Sequence, residues 1–153
     1  MISMKATFAA GCFWHVEDLF RKVKGVNSAT SGYTGGTMPS PSYQDVCTDR
    51  TGHAEAVQVE YDPEQVSYDE LLKVFWENHN PTTLNRQGPD VGTQYRSAIF
   101  FHDAEQEKAA KESMKNLQDS MRDKKVVTEI TPAKEFFKAE EYHQRYFEKQ
   151  GLI

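Results

Sequence analysis

Cysteine is rare in this sequence, and long apolar segments are missing. Two cysteines among 153 residues are too few for the disulfide framework of a small secreted domain. No apolar run approaches the roughly 20 residues that span a bilayer, and Met1-Ile2-Ser3-Met4-Lys5 lacks the apolar region of a signal peptide. These absences predict a cytoplasmic chain in a reducing environment, with no membrane as partner.

Positive charge is also scarce. Lys and Arg number 18 against 23 Asp and Glu, and no run of Lys or Arg is longer than two residues. A basic patch or stripe is typical of nucleic-acid-binding proteins, so the composition excludes nucleic acid as an expected partner. The length is enough for one domain with a substantial buried core, and we expect a single, monomeric domain over residues 1–153.

Metal-binding patterns are missing as well. No two of the five histidines stand at the spacing of a compact metal site, and neither cysteine has a second cysteine at zinc-binding spacing. We therefore expect no bound metal. The histidines are His15, His53, His79, His102 and His143.

Hydrophobic periodicity predicts alternating strands and helices. Helices are expected from Cys12 to about Lys24, from Ser67 to about His79, and from Asp103 to about Met121. The element order contains the βαββαβ pattern, which predicts an α+β fold, a ferredoxin-like α/β sandwich with an additional helix and strand. Strands are expected at 5–9, 26–33, 55–61, 96–102 and 126–130.

Three segments are expected to be irregular. The first is a loop rich in Gly, Pro and Ser between Gly32 and Cys47, and the second covers 81–95. Loops of this length inside a compact domain are often functional. The third is a coiled C-terminal tail, 136–147, with one short helix.

Cys12 occupies the most informative position in the sequence. It follows a short apolar strand and precedes a helical pattern, which places it at the N-terminus of a helix, directly before Phe13 and Trp14. The partial positive charge of a helix N-terminus favours a thiolate. Cys12 is therefore either a nucleophile with an apolar pocket beside it or a buried cysteine used as a small hydrophobic residue.

Other polar residues of interest lie in or beside the two loops. Tyr43 and Tyr95 can donate hydrogen bonds to an oxygen in a dry site, or they can serve as packing anchors; Asp90 lies near Tyr95. Glu55 begins the strand at 55–61. If it is buried, its pKa rises and it can hold a proton near neutrality; the alternative is a solvated carboxylate at a strand end.

Seven short sequence blocks occur in order along the chain, and they are spread over nearly its whole length. The blocks are Gly11-Cys12-Phe13-Trp14-x-x-Glu17, Gly32-Tyr33-Thr34-Gly35-Gly36, Tyr43-x-x-Val46-Cys47, Thr51-Gly52-His53-Ala54-Glu55, Tyr61-Asp62-Pro63, Asn85-Arg86-Gln87-Gly88-x-Asp90-x-Gly92-Thr93-Gln94-Tyr95-Arg96-Ser97, and Ala139-Glu140-x-Tyr142-His143-Gln144-x-Tyr146. In sequence and spacing they resemble the A-type peptide methionine sulfoxide reductases, whose signature is G-C-F-W-x-x-E.

This resemblance implies a single catalytic domain over 1–153 that reduces methionine-S-sulfoxide, free or in proteins, to methionine and so repairs oxidised methionine. In the family, the cysteine that matches Cys12 is the nucleophile. The aromatic residues that match Phe13 and Trp14 hold the methyl group of the substrate.

The resemblance also implies how the sulfoxide oxygen is handled. The residues that match Glu55, Tyr43 and Tyr95 bind this oxygen, and the one that matches Asp90 belongs to the supporting network. The Cys12 thiolate would attack the sulfoxide sulfur while a neutral Glu55 protonates the oxygen. Methionine leaves, and Cys12 remains as a sulfenic acid. No bound metal, flavin or nicotinamide is needed for this step.

Recycling of Cys12 is where the sequence departs from many family members. The tail ends in Gln150-Gly151-Leu152-Ile153 without the recycling cysteines that many members carry, and His15 stands where glycine or cysteine is frequent. Cys47 is one candidate for the resolving thiol; the alternative is that Cys47 is a buried structural thiol. An external thiol, such as thioredoxin, glutaredoxin with glutathione, or dithiothreitol, would then resolve the sulfenic acid.

Two other functions remain open from the residues alone. A cysteine hydrolase or acyl transferase needs a histidine base within reach of Cys12, and His53 is the only candidate near another site residue. A non-enzymatic module could instead bind methionine or its sulfoxide through the aromatic pocket, in which case Cys12 would be dispensable.

Overall fold

The structure is a computed structural model, and it describes residues 3–150. Its strands are β1 (Met4–Ala10), β2 (Val26–Thr34), β3 (Ala54–Tyr61), β4 (Arg86–Gln87), β5 (Asp90–Val91), β6 (Ser97–Phe101), β7 (Glu129–Pro132) and β8 (Phe137–Lys138). Its α-helices are α1 (Phe13–Arg21), α2 (Tyr43–Cys47), α3 (Tyr68–Glu77), α4 (Ala104–Ser120) and α5 (Tyr146–Lys149). Short 3-10 helices cover Thr93–Tyr95 and Glu141–His143.

Six strands form one sheet in the order β7-β6-β1-β3-β2-β8, while β4 and β5 pair separately. The four central strands, β6-β1-β3-β2, pair antiparallel to one another, and α1 and α3 make the crossover connections. This arrangement confirms the predicted ferredoxin-like fold. The additional helix and strand are α4 and β7, and β7 pairs parallel to β6 at one edge.

The helices form where the apolar pattern predicted them. On α1, Phe13, Val16 and Phe20 are buried, and the ring of Phe20 stacks on Phe8 of β1 at a centroid distance of 4.9 Å. The start of α3 is fixed by a capping box in which Ser67 and Glu70 satisfy each other's backbone N–H groups. Packing of these helices on one face of the sheet leaves the β1–α1 turn at the edge where the two long loops meet.

The last predicted strand is displaced along the chain. It was expected over 126–130, but β7 covers Glu129–Pro132. The backbone N–H of Val126 donates to the Gln118 side chain, and that of Val127 donates to the Pro81 carbonyl, each at 2.8 Å. These donors are therefore directed to the end of α4 and to the second loop, and they are unavailable for pairing with β6.

Two of the segments predicted to be irregular contain regular structure. The first loop includes α2, whose start is closed by a capping box between Ser42 and Asp45. The tail includes β8, which pairs with Gly32 and Tyr33 at the free edge of β2, as well as the short helix α5. A strand of two residues is too short to produce a recognisable alternation, so β8 was not predicted from the sequence. In the part of the chain that the structure describes, no helix is long and apolar enough to cross a membrane.

Candidate active site

Cys12 lies at the strand-to-helix turn, as predicted. Gly11 makes this turn with a φ of +95°, and a Cβ at its position would meet the Gln87 side chain at 2.9 Å. Cys12 is the N-cap residue of α1, and its carbonyl accepts the N–H groups of His15 at 3.2 Å and Val16 at 3.4 Å. Glycine is therefore required before Cys12, both for the left-handed backbone and for space.

The helix N-terminus alone would lower the pKa of the Cys12 thiol, but burial of the thiol has the larger effect and raises it. Desolvation raises the pKa of Cys12 to about 11, and the nearby charges of Glu55 and Asp90 act in the same direction. The backbone N–H groups of Trp14 and His15 lower the pKa, but by less. The expectation of a thiolate is therefore wrong for the free protein, in which Cys12 is a neutral thiol at neutral pH.

Glu55 is buried directly beside this turn. Glu55 is 1% exposed, and its Oε1 accepts the backbone N–H of Phe13 at 3.2 Å. Its Oε2 is buried and has no hydrogen-bond partner among the described residues. Burial raises the pKa of Glu55 to about 8, helped by the charge of Asp90 and opposed by the Phe13 N–H. The solvated alternative is therefore wrong, and Glu55 holds its proton at neutral pH.

The two loop tyrosines reach the same site. Tyr43 is the first residue of α2, and its N–H donates to the Glu140 side chain at 2.9 Å. Burial raises the pKa of Tyr43, with contributions from the Cys47 thiol and the Glu55 charge. The pKa of Tyr95 rises to about 12 by burial and by the charges of Glu55, Cys47 and Asp90. Both phenols therefore remain hydrogen-bond donors at neutral pH.

The structure thus brings together the five polar residues singled out in the sequence. Asp90, the first residue of β5, is close enough for its charge to raise the pKa of Cys12, Glu55 and Tyr95. Cys12 comes from the turn after β1 and Glu55 from the start of β3, and the two long loops supply the other three. A buried carboxyl with a free oxygen, two phenols and a thiol can bind and protonate an oxygen atom next to a nucleophilic sulfur.

Phe13 and Trp14 differ in their surroundings. Phe13 is 1% exposed and packs in an aromatic cluster, with its ring 6.5 Å from Tyr43 and 5.1 Å from His143. Trp14 is half-buried. Its Nε1–H donates to His143 Nδ1 at 2.9 Å, and its ring stacks on Tyr146 with centroids 3.7 Å apart. The aromatic residues beside Cys12 are therefore held in place by the C-terminal tail.

His143, Tyr146 and Glu140 are contributors to the site that the sequence analysis did not assign. His143 is 1% exposed and neutral, because burial lowers its pKa. Since Nδ1 of His143 accepts the hydrogen bond from Trp14, Nε2 carries the ring proton. Within residues 3–150, the buried Nε2 has no hydrogen-bond partner. Glu140 accepts both the Tyr43 N–H and the Tyr33 hydroxyl, the latter at 2.8 Å. The only sequence signal was the aromatic block Ala139–Tyr146 itself.

Cys47 ends α2 and is exposed, whereas Cys12 is partly buried, and both thiols are free. The alternative of a buried structural Cys47 is therefore wrong. The Cys47 thiol contributes to the raised pKa of Tyr43 and Tyr95, so it lies close to these two site residues. An exposed thiol is accessible to a second protein.

His53 is not placed to act as a base for Cys12. It is 2% exposed, its Nδ1 accepts the Gly36 N–H at 3.0 Å, and its Nε2 lies 2.6 Å from the Met38 carbonyl, to which it donates. Both ring nitrogens are thus used to hold the first loop, and the hydrolase hypothesis loses its base. Among the residues that the structure describes, no three His, Cys, Asp or Glu side chains cluster as metal ligands.

Comparisons with known proteins agree with this geometry. The family model described as peptide methionine sulfoxide reductase matches residues 4–152. The peptide methionine sulfoxide reductase MsrA of Methanothermobacter thermautotrophicus is 61% identical over 95% of this chain and 86% of its own. A solved methionine sulfoxide reductase A of Corynebacterium diphtheriae has a TM-score of 0.92 at 38% identity, covering 99% of this chain and 76% of that one.

A third comparison concerns a complex. Mxr1 from Saccharomyces cerevisiae, solved in complex with Trx2, superposes with a TM-score of 0.67 at 28% identity and covers 94% of this chain and 84% of that one. A protein similar to this chain therefore forms a complex with Trx2. On the family match and the identity over nearly the whole length, the chain belongs to the peptide methionine sulfoxide reductase family, of the A type, a family of thiol-dependent oxidoreductases.

Proposed function

We propose that this chain reduces methionine-S-sulfoxide, free or in proteins, to methionine through a sulfenic acid on Cys12, and so repairs oxidised methionine. The observation that carries this proposal is the buried Glu55 carboxyl beside Cys12, with one oxygen unpartnered and a pKa of about 8. A protonated carboxyl next to a thiol provides the acid that a sulfoxide oxygen requires.

The proposed reaction balances in protons and electrons. Cys12 gives up its thiol proton, and its sulfur forms a bond at the sulfoxide centre as the proton of Glu55 moves to the oxygen. The hydroxyl then passes to the Cys12 sulfur. A new sulfur–oxygen bond forms on Cys12 as the sulfur–oxygen bond of the substrate and the transient bond between the two sulfurs break, so that methionine leaves and Cys12 is a sulfenic acid. Cys12 is oxidised by two electrons and the substrate is reduced by two. Glu55 regains the proton that Cys12 released.

The remaining site residues have supporting roles in this proposal. Tyr43 and Tyr95 donate hydrogen bonds to the sulfoxide oxygen, and their raised pKa values keep these donors protonated. Asp90 belongs to the network around them and favours a protonated Glu55 through its charge. Phe13 and Trp14 form the apolar wall that binds the methyl group of the substrate.

The second half of the cycle needs a thiol. We infer that a reductant such as thioredoxin, glutaredoxin with glutathione, or dithiothreitol restores Cys12, and that no cofactor is bound. Cys47 is the candidate internal resolving thiol, supported by its exposure. We further propose that the chain acts as a monomeric, single catalytic domain in the cytoplasm, because the described elements pack around one central sheet and its thiols are free.

Thiol counting after one turnover tests this proposal. Incubation with excess methionine-S-sulfoxide and no reductant should yield one methionine per chain and a dimedone adduct on Cys12, detected by mass spectrometry. If Cys47 remains alkylatable, the resolving thiol is external. If both thiols are lost and no adduct forms, the product is a Cys12–Cys47 disulfide.

The controls are the R epimer of the sulfoxide and the Cys47→Ser variant. The R epimer should give no methionine and no adduct. Cys47→Ser should still give one methionine per chain, because Cys47 has no part in the first step. Formation of methionine without any modification of Cys12 would contradict the proposed function.

Exposed apolar side chains favour peptides and proteins among the substrates. In the described part of the chain, the large apolar residues that are well exposed are Met38 at 37%, Leu84 at 70%, Val91 at 72% and Tyr142 at 59%. All four lie in the two loops and the tail, which also supply the polar residues of the site. Exposed apolar groups that gather around one site often mark a contact surface.

Serine at Leu84 and Val91 should separate the two substrate classes. The double variant should lower kcat/KM for an oxidised-methionine peptide about fivefold, because it removes apolar contacts with the residues that flank the methionine. The kcat/KM for free methionine-S-sulfoxide should not change, which serves as the internal control. An equal loss for both substrates would show that these residues do not form a peptide contact.

A further inference from the structure

Glu17 is a buried carboxylate with no part in the reaction itself. It lies on α1 one turn after Phe13, and its side chain is 2% exposed. Its oxygens accept the Ser31 hydroxyl at 2.8 Å and the Arg21 guanidinium at 2.9 Å. They also accept the backbone N–H of Arg145 at 2.8 and 3.0 Å. Glu17 thus joins α1 and β2 to the C-terminal tail.

The contact with Arg145 fixes an unusual turn. Arg145 has φ 54° and ψ 41°, the left-handed conformation that residues with side chains rarely adopt. A hydrogen bond to a carboxylate is stronger than one to a neutral acceptor, so the Glu17 charge holds this residue in its strained conformation. Because Arg145 directly precedes α5, its conformation sets the direction in which Tyr146 leaves the turn.

The residues on both sides of Arg145 hold Trp14. His143 accepts the indole Nε1–H, and Tyr146 stacks on the indole ring with an interplanar angle of 8°. Between them, the Gln144 carboxamide pairs with the N–H and the carbonyl of Ser31, each at 2.9 Å. The orientation of Trp14 therefore depends on a tail segment whose turn is anchored on Glu17.

A purely structural role for Glu17 is the competing explanation. Arg21 bonds both Glu17 and the Ala29 carbonyl, the latter at 2.6 Å, and this pairing braces α1 against β2. Loss of that brace would lower the stability of the fold without changing how the folded enzyme selects a substrate. The hydrogen bond from the Arg145 N–H to Glu17 is not needed to brace α1 against β2. It connects Glu17 to the tail residues that hold Trp14.

We propose that Glu17 is a positioning residue that holds the Tyr146 and His143 wall against Trp14 and thereby sets the selectivity for a methyl group on sulfur. This inference rests on the proposed role of Trp14 in holding that methyl group. A carboxylate is suited to the task because it accepts hydrogen bonds from β2, Arg21 and the tail at the same time.

Glu17→Met removes both acceptor oxygens at similar side-chain length. It should raise KM for methionine-S-sulfoxide about fivefold with kcat nearly unchanged, because binding through Trp14 is lost equally from the ground state and the transition state. The preference for methionine-S-sulfoxide over ethionine-S-sulfoxide should also fall. In a Trp76→Phe background, where Trp14 is the remaining one of the two tryptophans, its emission should shift to the red.

Two further variants serve as references. Glu17→Gln keeps one carbonyl oxygen for the Arg145 N–H and should give a smaller increase in KM, which also provides the test if Glu17→Met does not fold. Glu148→Gln is the matched control, because among the described residues Glu148 bonds only the Arg145 side chain, at 2.7 and 3.0 Å. It should leave KM and selectivity unchanged.

The outcomes separate this inference from the proposed function. The inference would be overturned if Trp14→Ala raises KM but folded Glu17→Met leaves KM and selectivity unchanged. Folded Glu17→Gln takes the place of Glu17→Met if the latter does not fold. If Trp14→Ala also leaves KM and selectivity unchanged, the proposed role of Trp14 is wrong instead.

Discussion

Replacing Cys12 by serine should abolish the reduction of methionine-S-sulfoxide. The hydroxyl of serine is a far weaker nucleophile than a thiol and has no stable oxidised state equivalent to a sulfenic acid. We expect turnover with dithiothreitol to fall by at least about a thousandfold, measured as methionine formed by chromatography. Substrate binding should survive, because the proposed contacts to the methyl group and the oxygen come from other side chains.

The matched control for this substitution is Cys47→Ser. It should keep the first, stoichiometric turnover, and its steady-state rate then reports whether Cys47 or an external thiol resolves the sulfenic acid. Binding of the sulfoxide to Cys12→Ser, measured by calorimetry, should remain near that of the native protein. Substantial turnover by Cys12→Ser would be incompatible with the proposed mechanism, and tight binding of the sulfoxide without turnover by the native chain would favour a binding module.

The protonation state of Cys12 shows what sequence reasoning can and cannot provide. The strand-to-helix turn was predictable from the apolar strand, Gly11 and the helical spacing of Val16 and Phe20. The sign of the net pKa shift was not, because it depends on how much solvent the folded chain removes from the thiol and on Glu55, 43 positions further along the chain. A helix N-terminus lowers a thiol pKa, but here desolvation is the larger effect.

The tail illustrates a second limit. The central βαββαβ order and the location of Tyr43, Glu55, Asp90 and Tyr95 followed from periodicity and from the motif blocks. The two-residue β8 and the Glu17–Arg145 contact did not, since the latter joins residues 128 positions apart through a side chain and a backbone N–H. Contacts of this kind have no local pattern, so they become visible only when the sheet edge and α1 are placed in space.

Glu55→Gln should lower the chemical rate and raise the reactivity of Cys12. General acids contribute about 10²–10⁴-fold to a rate, and an amide cannot donate a proton to a departing oxygen. We therefore expect a loss of that order in single-turnover methionine formation. The negative charge of Glu55, which is present above about pH 8, raises the pKa of Cys12. Its removal should therefore lower this pKa below about 11 and speed alkylation of Cys12 above pH 8.

The two measurements must move in opposite directions. Alkylation by iodoacetamide as a function of pH, in a Cys47→Ser background, reports the pKa of Cys12 alone. If both turnover and alkylation fell in Glu55→Gln, the substitution would have disturbed the turn at Cys12, and the acid role would lose its support. A Glu60→Gln substitution on the same strand, outside the group of site residues, is the control and should change neither.

The same carboxyl should make the native fold less stable as the pH rises. The pKa of Glu55 is about 8 in the folded chain against 4.5 for an ordinary glutamate, so between these values the folded state holds a proton that the unfolded state has lost. By linkage, the contribution of Glu55 to the free energy of unfolding falls across this window and is lowest above pH 8. Glu55→Gln removes the ionisation, so its Tm relative to the native protein should be higher at pH 8 than at pH 5. A difference independent of pH would mean that Glu55 is already ionised in the free protein, leaving it no proton to give to the sulfoxide oxygen.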